Sequence, residues 1–148
     1  MPLVALEKGH IKAIADLEAT LFERPFTADA LTSLFARTAF AGYALRDDAE
    51  NILSYIMLSQ VVDEAEILSL GAARDQQGKG HARELLRATC RLLMQAGIGR
   101  LYLDVAESNV AAHALYGGCG FAATGRRPHY YGVAPNREDA IIMTKILG

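Results

Sequence analysis

A glycine-containing loop between a short apolar segment and an amphipathic segment constrains the fold of this 148-residue chain more than any other feature. Residues 66–73 are mostly apolar and predict a strand, and Gly78 and Gly80 follow in a tight loop. From Ala82 onward the apolar residues recur with a helical period. A helix that begins after such a loop offers unpaired backbone N–H groups and the positive end of its dipole. The loop therefore predicts a site for the phosphates of a cofactor, and Lys79 adds a nearby cation.

Two common phosphate-binding patterns fail at this loop. The P-loop needs a hydroxyl after its lysine, but Gly80 follows Lys79. The dinucleotide fingerprint needs a third glycine where Arg83 stands. Residues 77–82 fit instead the pattern Gln/Arg-x-x-Gly-x-Gly/Ala. The pattern is short, and a plain glycine turn between a strand and a helix fits these six residues equally well.

Composition and charge narrow the class of protein. With 51% hydrophobic residues, the chain suits one compact domain, which we expect to span residues 1–148. The net charge of −2 argues against a nucleic-acid partner, and no apolar run approaches the ~20 residues that cross a bilayer, so no membrane partner is expected. The first residues lack a signal-peptide pattern, and two cysteines, Cys90 and Cys119, favour a reduced, cytoplasmic setting. The histidines show no metal-ligand spacing, so we expect no metal.

The periodicities predict a mixed α/β fold in the order βααβββαβαββ. Predicted strands cover 3–7, 40–46, 52–60, 66–73, 100–105, 121–126 and 140–146, and predicted helices cover 10–22, 27–37, 82–96 and 110–116. Thr27 is the predicted N-cap of the second helix, and Ser108 or Asn109 caps the fourth. Glu18 stands apart from the apolar residues of the first helix. The early strands should pair antiparallel, and the helix after the glycine loop should connect two parallel strands.

A second motif follows this predicted crossover. Residues 109–121 read Asn-x-x-Ala-x-x-Leu-Tyr-x-x-x-Gly-Phe. With the glycine loop and the order of elements, this motif resembles the GNAT superfamily of acyl-CoA-dependent N-acetyltransferases, and the resemblance covers essentially the whole chain. Residues 126–131 and 137–143 are similar to the RimI branch, the ribosomal-protein-alanine N-acetyltransferases. The segment 18–27 resembles the early helix pair of that branch, with Phe26 where an indole is usual.

The resemblance implies a GNAT-like acyl-CoA N-acyltransferase fold and acetyl-CoA as co-substrate. One strand segment matches the backbone that meets the pantetheine arm, and residues 77–83 match the loop that holds the pyrophosphate. The expected cofactor-binding residues are Leu70, Gly71, Ala72, Gln77, Gly78, Lys79, Gly80, His81, Ala82, Arg83 and Asn109. We expect His81 to be a loop residue that donates only its backbone N–H.

Acetyl transfer from a thioester to an amine needs a free lone pair on the amine and a proton for the departing thiolate. Tyr116 is the expected general acid, because an unperturbed pKa of about 10 keeps the phenol protonated at neutral pH. Asn109 lies seven residues earlier on the same helical face, and the resemblance implies that both residues contact the cofactor. A packed aromatic ring and a plain N-cap are the alternative interpretations.

The resemblance also implies a glutamate base on the strand before that helix, where this chain has Asp104. Aspartate is one methylene shorter, which favours contact with the amine through a water molecule. Glu66, on the strand that enters the glycine loop, is the alternative base, and either residue could instead be a solvated strand-edge charge. The residues expected at the acceptor site are Phe26, His129, Tyr130 and Tyr131, with a strand-edge cluster as the alternative for the last three.

These expectations combine into direct transfer of the acetyl group to a protein N-terminal α-amine in a ternary complex, with a ribosomal protein as partner. An α-amine has a reference pKa of about 7.7–8.0, against about 10.4 for lysine, so it is partly neutral near pH 7. The first alternative is an acetyltransferase that acts on lysine or a small amine. The second is a non-catalytic acyl-CoA-binding module, which Asp104 in place of glutamate favours. We expect a monomer or a weak dimer.

Overall fold

The segments with alternating and helical periods assemble into one mixed sheet with helices on both faces, in a computed structural model that describes residues 3–148. The strands are β1 (Leu3–Ala5), β2 (Phe40–Arg46), β3 (Ile52–Val61), β4 (Glu64–Ala72), β5 (Arg100–Ala106), β6 (Ala122–Tyr131) and β7 (Glu138–Ile146). The helices are α1 (Ile11–Leu21), α2 (Ala28–Phe35), α3 (His81–Gln95) and α4 (Val110–Gly118). Short 3-10 turns occur at Lys8–His10 and Arg74–Gln76. The predicted order of strands and α-helices is confirmed.

The sheet has the strand order β1-β2-β3-β4-β5-β7-β6. Among the strands of residues 3–148, only β4 and β5 pair in parallel, and α3 forms the connection between them, as predicted. This parallel pairing is short: it runs from Glu64 beside Arg100 to Glu66 beside Tyr102. Beyond that point the two strands no longer pair, so the edge of β4 that faces β5 is open along its second half.

Two apolar cores lie on opposite faces of the sheet, because side chains alternate along each strand. On β3, which is buried from residue 53 to residue 58, Ile56 and Leu58 belong to the core beneath α3 and α4, and Tyr55 and Met57 belong to the core beneath α1 and α2. Burial of a large apolar side chain contributes roughly 1.5–3 kcal/mol, so α3 is held mainly by its apolar stripe. That stripe comprises Leu85, Leu86, Cys90 and Leu93, all of which are buried.

Local capping signals set the starts of two helices. Thr27 Oγ1 accepts a hydrogen bond from the Ala30 amide at 3.2 Å, and Asn109 Oδ1 accepts one from the Ala112 amide at 3.1 Å. The predicted cap at Thr27 is therefore confirmed, and Asn109 rather than Ser108 caps α4. Within the described residues, no helix has the length and apolar character that crossing a membrane requires.

The ends of several elements differ from the prediction. The first strand ends at Ala5 rather than at residue 7, and β6 continues to Tyr131 instead of stopping at residue 126. β6 is extended because β7 continues to pair with it as far as Tyr131 beside Glu138. The register shifts between Arg127 and Tyr131, and Pro128 falls in this irregular stretch, where a missing N–H costs no ladder bond.

Candidate active site

The glycine loop before α3 presents free backbone donors. Gly78 and Gly80 have φ values of +80° and +82°, a backbone region that residues other than glycine rarely adopt. The first amide of α3 with a helical acceptor is that of Glu84, which donates to the Gly80 carbonyl at 3.0 Å. Throughout the described residues, the amides of 78–83 have no hydrogen-bond acceptor. They are therefore available to an anion at the positive end of the helix.

A groove of about 400 Å³ lies beside these amides. A Cβ atom placed on Gly78 or Gly80 would meet nothing within 4 Å, so the space above the loop is open. The groove is lined by Ala72, Gln76, Gln77, Gly78, Gly80, His81, Ala82, Arg83 and Leu115. An open groove with a row of unpaired amides fits a pyrophosphate group in both shape and charge.

Several loop side chains stabilise the loop itself. Gln77 Nε2 donates to the Ala72 carbonyl at 3.2 Å, which closes the loop against the end of β4. His81 was expected to be a loop residue, but it is the first residue of α3. It is only 7% exposed. Its Nε2 lies 3.2 Å from Gln76 Oε1, so its ring packs inside the loop while its backbone N–H stays free. The expectation that His81 belongs to the loop was therefore wrong, and its contribution of a backbone N–H to the cofactor stays a prediction.

The open edge of β4 continues from the loop. Leu70, Gly71 and Ala72 pair with β3 on one side, whereas their other side faces the gap where β5 has separated. A Cβ atom on Gly71 would lie 2.8 Å from the Tyr55 hydroxyl oxygen and 2.9 Å from Leu21 Cδ1, so only glycine fits at this position. An unpaired strand edge can hydrogen bond to an extended chain that contains amides, which is the chemistry of a pantetheine arm.

Tyr116 lies near the end of α4 and is 6% exposed. Its ring packs edge-on against Phe121, with a centroid distance of 5.4 Å. Its hydroxyl makes no hydrogen bond within residues 3–148. The hydroxyl oxygen is nevertheless not completely shut off from solvent, unlike the buried and unpaired Nε of Arg46 and Oγ1 of Thr89. Burial raises the pKa of the phenol above its usual value, and the nearby Cys119 and Tyr131 raise it further. Tyr116 is therefore a protonated donor at neutral pH.

Two carboxylates lie on the opposite face of the sheet, beside the gap between β4 and β5. Glu66 and Asp104 alternate with residues of the α3 core along their strands, so both side chains point to the face that carries α1 and α2. The Asp104 side chain is 13% exposed, and its Oδ1 lies 3.7 Å from Arg127 Nε. Burial raises the pKa of Glu66, the charge of Asp104 raises it further, and Arg127 lowers it. The two carboxylates and this guanidinium therefore form one electrostatic unit.

Tyr131 connects these carboxylates with Tyr116. It is half-buried, and burial together with the charge of Asp104 raises the pKa of Tyr131 to about 12. The charge of Tyr131 also contributes to the raised pKa of Tyr116. Tyr130 packs edge-on against Tyr131 at 5.0 Å and is 49% exposed. The structure thus brings Tyr116, Tyr131, Asp104 and Glu66 into one neighbourhood that is drawn from four elements.

The other two residues expected at the acceptor site are His129 and Phe26, which lie at the margin of the region around Glu66 and Asp104. His129 is exposed and has a φ of +53°, and its amide donates to Asp139 Oδ1 at 3.0 Å. Phe26 is half-buried in the loop between α1 and α2, where it packs against the second core. The same loop reaches the turn after β6, because Arg24 Nη2 donates to the Gly132 carbonyl at 3.3 Å. The loop between α1 and α2 and the turn after β6 therefore meet at one side of the carboxylate face, the surface of the sheet around Glu66 and Asp104.

Sequence reasoning missed two charged residues. Arg127 lies in the segment 126–131 that is similar to the RimI branch, but the sequence indicated no role for it. Its guanidinium lies beside Asp104 and 5.4 Å from the Tyr130 ring centroid. Glu18 was set apart from the apolar stripe of α1, yet it is 1% exposed. Its spacing from Ile14 and Leu21 places it on the buried side of the helix, which was the available signal.

The parallel-strand gap, the loop of free amides and the buried phenol define the class of acyl-CoA-binding N-acyltransferases. The profile of the Acetyltransferase (GNAT) family matches residues 11–121. The ribosomal protein bS18-alanine N-acetyltransferase of Haemophilus ducreyi is 34% identical over 101 residues, which are 68% of this chain and 70% of that protein. The chain belongs to the GNAT acetyltransferase family.

Solved structures agree with this assignment. The crystal structure of the ribosomal-protein-S18-alanine N-acetyltransferase from Escherichia coli matches with a TM-score of 0.92 and 28% identity, covering 99% of this chain and 94% of that one. The spermidine N-acetyltransferase from Vibrio cholerae in complex with CoA and spermine matches with a TM-score of 0.84 and 25% identity, covering 99% and 95%. The protein is an acetyl-CoA-dependent N-acetyltransferase, which confirms the predicted fold, enzyme class and co-substrate.

Proposed function

We propose that this enzyme acetylates the α-amine at the N-terminus of a protein, and that its physiological acceptor is a ribosomal protein. The observation that carries the proposal is the carboxylate face: Glu66 and Asp104 lie beside the gap between β4 and β5, opposite the core of α3. The relatives from Haemophilus ducreyi and Escherichia coli, whose names specify an alanine of a ribosomal protein, support this class of acceptor.

Acetyl-CoA supplies an activated acetyl thioester. The unpaired amides of 78–83 bind its pyrophosphate, and the open edge of β4 at Leu70, Gly71 and Ala72 binds its pantetheine arm. Binding along this edge directs the thioester into the gap between the strands. Both substrates are then held within reach of each other, which replaces a bimolecular encounter by an oriented reaction.

Asp104 is the proposed base. It lies two residues beyond the last paired position of β5, within the gap, and it is close enough to Tyr131 to raise the pKa of that phenol. The amine nitrogen attacks the carbonyl carbon, and its proton passes to Asp104 through one water molecule. Glu66 adds a second negative charge that attracts the amine, and it is the alternative acceptor of the proton.

Tyr116 is the proposed general acid. As the carbon–sulfur bond breaks, negative charge develops on the sulfur, and the Tyr116 O–H donates to it. The raised pKa keeps this donor protonated over the working pH range. Asn109 uses Oδ1 to cap α4, and its free Nδ2 is available to the cofactor.

The acceptor class is tested with three substrates and the purified enzyme. One is a peptide that begins with a free N-terminal alanine, one is the same peptide with a blocked N-terminus and an internal lysine, and the third is spermidine. We expect a kcat/KM for the free α-amine at least about tenfold above the other two, because its lower pKa leaves more of it neutral. Preference for lysine or for spermidine would contradict the proposal.

The setting of the reaction follows from these substrates. We place the enzyme in the cytoplasm, where acetyl-CoA and newly made ribosomal proteins meet. We further propose that residues 1–148 act as one domain and as a monomer or weak dimer. Light scattering across a concentration series would measure this association.

A further inference from the structure

Glu18 is a carboxylate in an almost fully buried position, with 1% of its surface exposed. It accepts three hydrogen bonds. Its Oε1 accepts from the Phe26 amide at 3.1 Å, and its Oε2 accepts from the Tyr55 hydroxyl at 2.5 Å and the Ser69 hydroxyl at 2.7 Å. No lysine, arginine or histidine of the described chain forms an ion pair with it.

A buried carboxylate is costly unless donors replace its hydration, so an apolar side chain would be the simpler way to fill this position. The two oxygens have different partners. Oε2 is held by β3 and β4 through Tyr55 and Ser69, whereas Oε1 holds a backbone amide of the loop between α1 and α2. Burial and the hydrogen bond to Glu18 both raise the pKa of Tyr55, so its phenol is a donor in this arrangement. Glu18 therefore attaches the loop to the sheet.

The attachment lies between the two substrate regions. Ser69 immediately precedes the segment of β4 that binds pantetheine, and the Tyr55 hydroxyl lies against Gly71 of that segment. On the other side, the loop contains Phe26 and reaches across to the Gly132 carbonyl through Arg24. Gly132 directly follows Tyr131, whose pKa is raised by the charge of Asp104. The position of this loop thus limits the space above the carboxylate face.

We propose that Glu18 is a positioning residue for the acceptor: its carboxylate fixes the loop between α1 and α2 over the carboxylate face, so that the loop and Tyr131 flank the incoming chain. The inference rests on the proposed function, because it assigns this loop to the binding of a protein N-terminus. Glu18 touches neither the cofactor nor the reacting atoms, and its effect is therefore on acceptor binding rather than on the chemical step.

The test compares the full-length enzyme with Glu18→Met, which keeps the buried volume and removes every acceptor atom. We expect the KM for the N-terminal alanine peptide to rise about tenfold, with kcat and the Kd of acetyl-CoA each within about twofold of the unaltered enzyme. Glu18→Gln keeps a carbonyl for the Phe26 amide, and its NH2 group can donate to the two hydroxyls, so it should restore KM to within about threefold. In a second measurement by NMR, exchange of the Phe26 amide should be faster in Glu18→Met and slow again in Glu18→Gln.

The matched control is Ile14→Val on the same buried side of α1, which weakens packing but keeps all three hydrogen bonds. An equal rise of KM in Ile14→Val would overturn the inference, because it would make the effect one of general stability. Unchanged KM and unchanged Phe26 exchange in Glu18→Met would also overturn it. Should Glu18→Met not fold, Tyr55→Phe and Ser69→Ala each remove one anchoring donor, and KM should rise by a few-fold in each. If the unaltered enzyme acetylates a different amine, the proposed function fails, while that amine and the exchange of Phe26 still test Glu18.

Discussion

The cofactor loop and the carboxylate face are built in different ways. The loop is seven consecutive residues, 77–83, and its working groups are backbone amides that every residue except proline possesses. The carboxylate face consists of side chains from β4, β5 and β6 that are distant in the sequence: Glu66, Asp104, Arg127 and Tyr131. Glycine conformation and a helix terminus suffice for the first, whereas the second requires the sheet to form in the correct register.

The difference also appears in the electrostatics. The positive potential of the loop comes from oriented peptide dipoles, which do not titrate. The carboxylate face depends on the protonation of groups whose pKa values the fold changes, as the raised pKa values of Glu66 and Tyr131 show. The backbone groups proposed to bind the pyrophosphate therefore do not depend on pH, whereas the side chains proposed to bind and deprotonate the amine do.

The largest expected effect is that of Tyr116→Phe, which removes the donor to the leaving sulfur and keeps the ring. We expect kcat to fall by roughly 100- to 1,000-fold, as for loss of a general acid, with the Kd of acetyl-CoA nearly unchanged. An assay of thiol release over time measures kcat, and calorimetry measures the Kd of acetyl-CoA. Tyr43→Phe on β2 is the matched control and should retain full activity. An unaltered rate in Tyr116→Phe would remove the acid role.

The next effect separates the two carboxylates. Asp104→Asn should lower kcat/KM by roughly 10- to 100-fold, since an α-amine needs only modest help from a base, and Glu66→Gln should lower it about threefold through weaker attraction of the amine. The pH profile is an independent check. Because burial raises the pKa of Glu66, a rate that depended on ionised Glu66 would fall on acidification from a higher pH than is usual for a glutamate. A larger loss in Glu66→Gln than in Asp104→Asn would exchange their roles.

The smallest effect on kcat concerns the loop. Gly80→Ala places a Cβ on a residue with φ of +82°, which costs about 1–2 kcal/mol, and it fills space that the pyrophosphate would use. We expect the Kd of acetyl-CoA to rise about tenfold, while kcat at saturating acetyl-CoA changes little. Gly9→Ala is the control, because Gly9 also has open space around it but lacks a positive φ. Equal Kd values in all three proteins, measured by calorimetry, would contradict an anion site at the loop.

Features that depend on residues close together in the sequence were predicted correctly more often than features that depend on distant residues. The order of strands and helices, the crossover helix and the caps at Thr27 and Asn109 depend on local periodicity and local hydrogen bonds, and they were predicted. The end of β6 was wrong because pairing with β7 extends the strand past a proline and an irregular register. His81 was assigned to the loop rather than to α3, and its contact with Gln76 exists only when the loop has closed.

The acceptor side was less accessible to prediction. Phe26 and Tyr131 were named from a resemblance, but the contact between the loop of Phe26 and the turn after β6 joins Arg24 to Gly132, which are 108 residues apart. Arg127 gained its meaning only from the register that places it beside Asp104. Glu18 lay in a helical stripe that could have been identified as buried, yet its three donors come from three separate segments.

By itself, the sequence determined the order of strand, glycine loop and helix N-terminus that is typical of an anion site, and a phenol near the end of a later helix. These features depend on residues close together in the chain, and backbone geometry alone orients them. Only the tertiary structure decided which carboxylates meet, which guanidinium lies beside them and which buried glutamate holds the loop between α1 and α2. Those choices depend on strand register and desolvation, and both arise only when distant segments pack together.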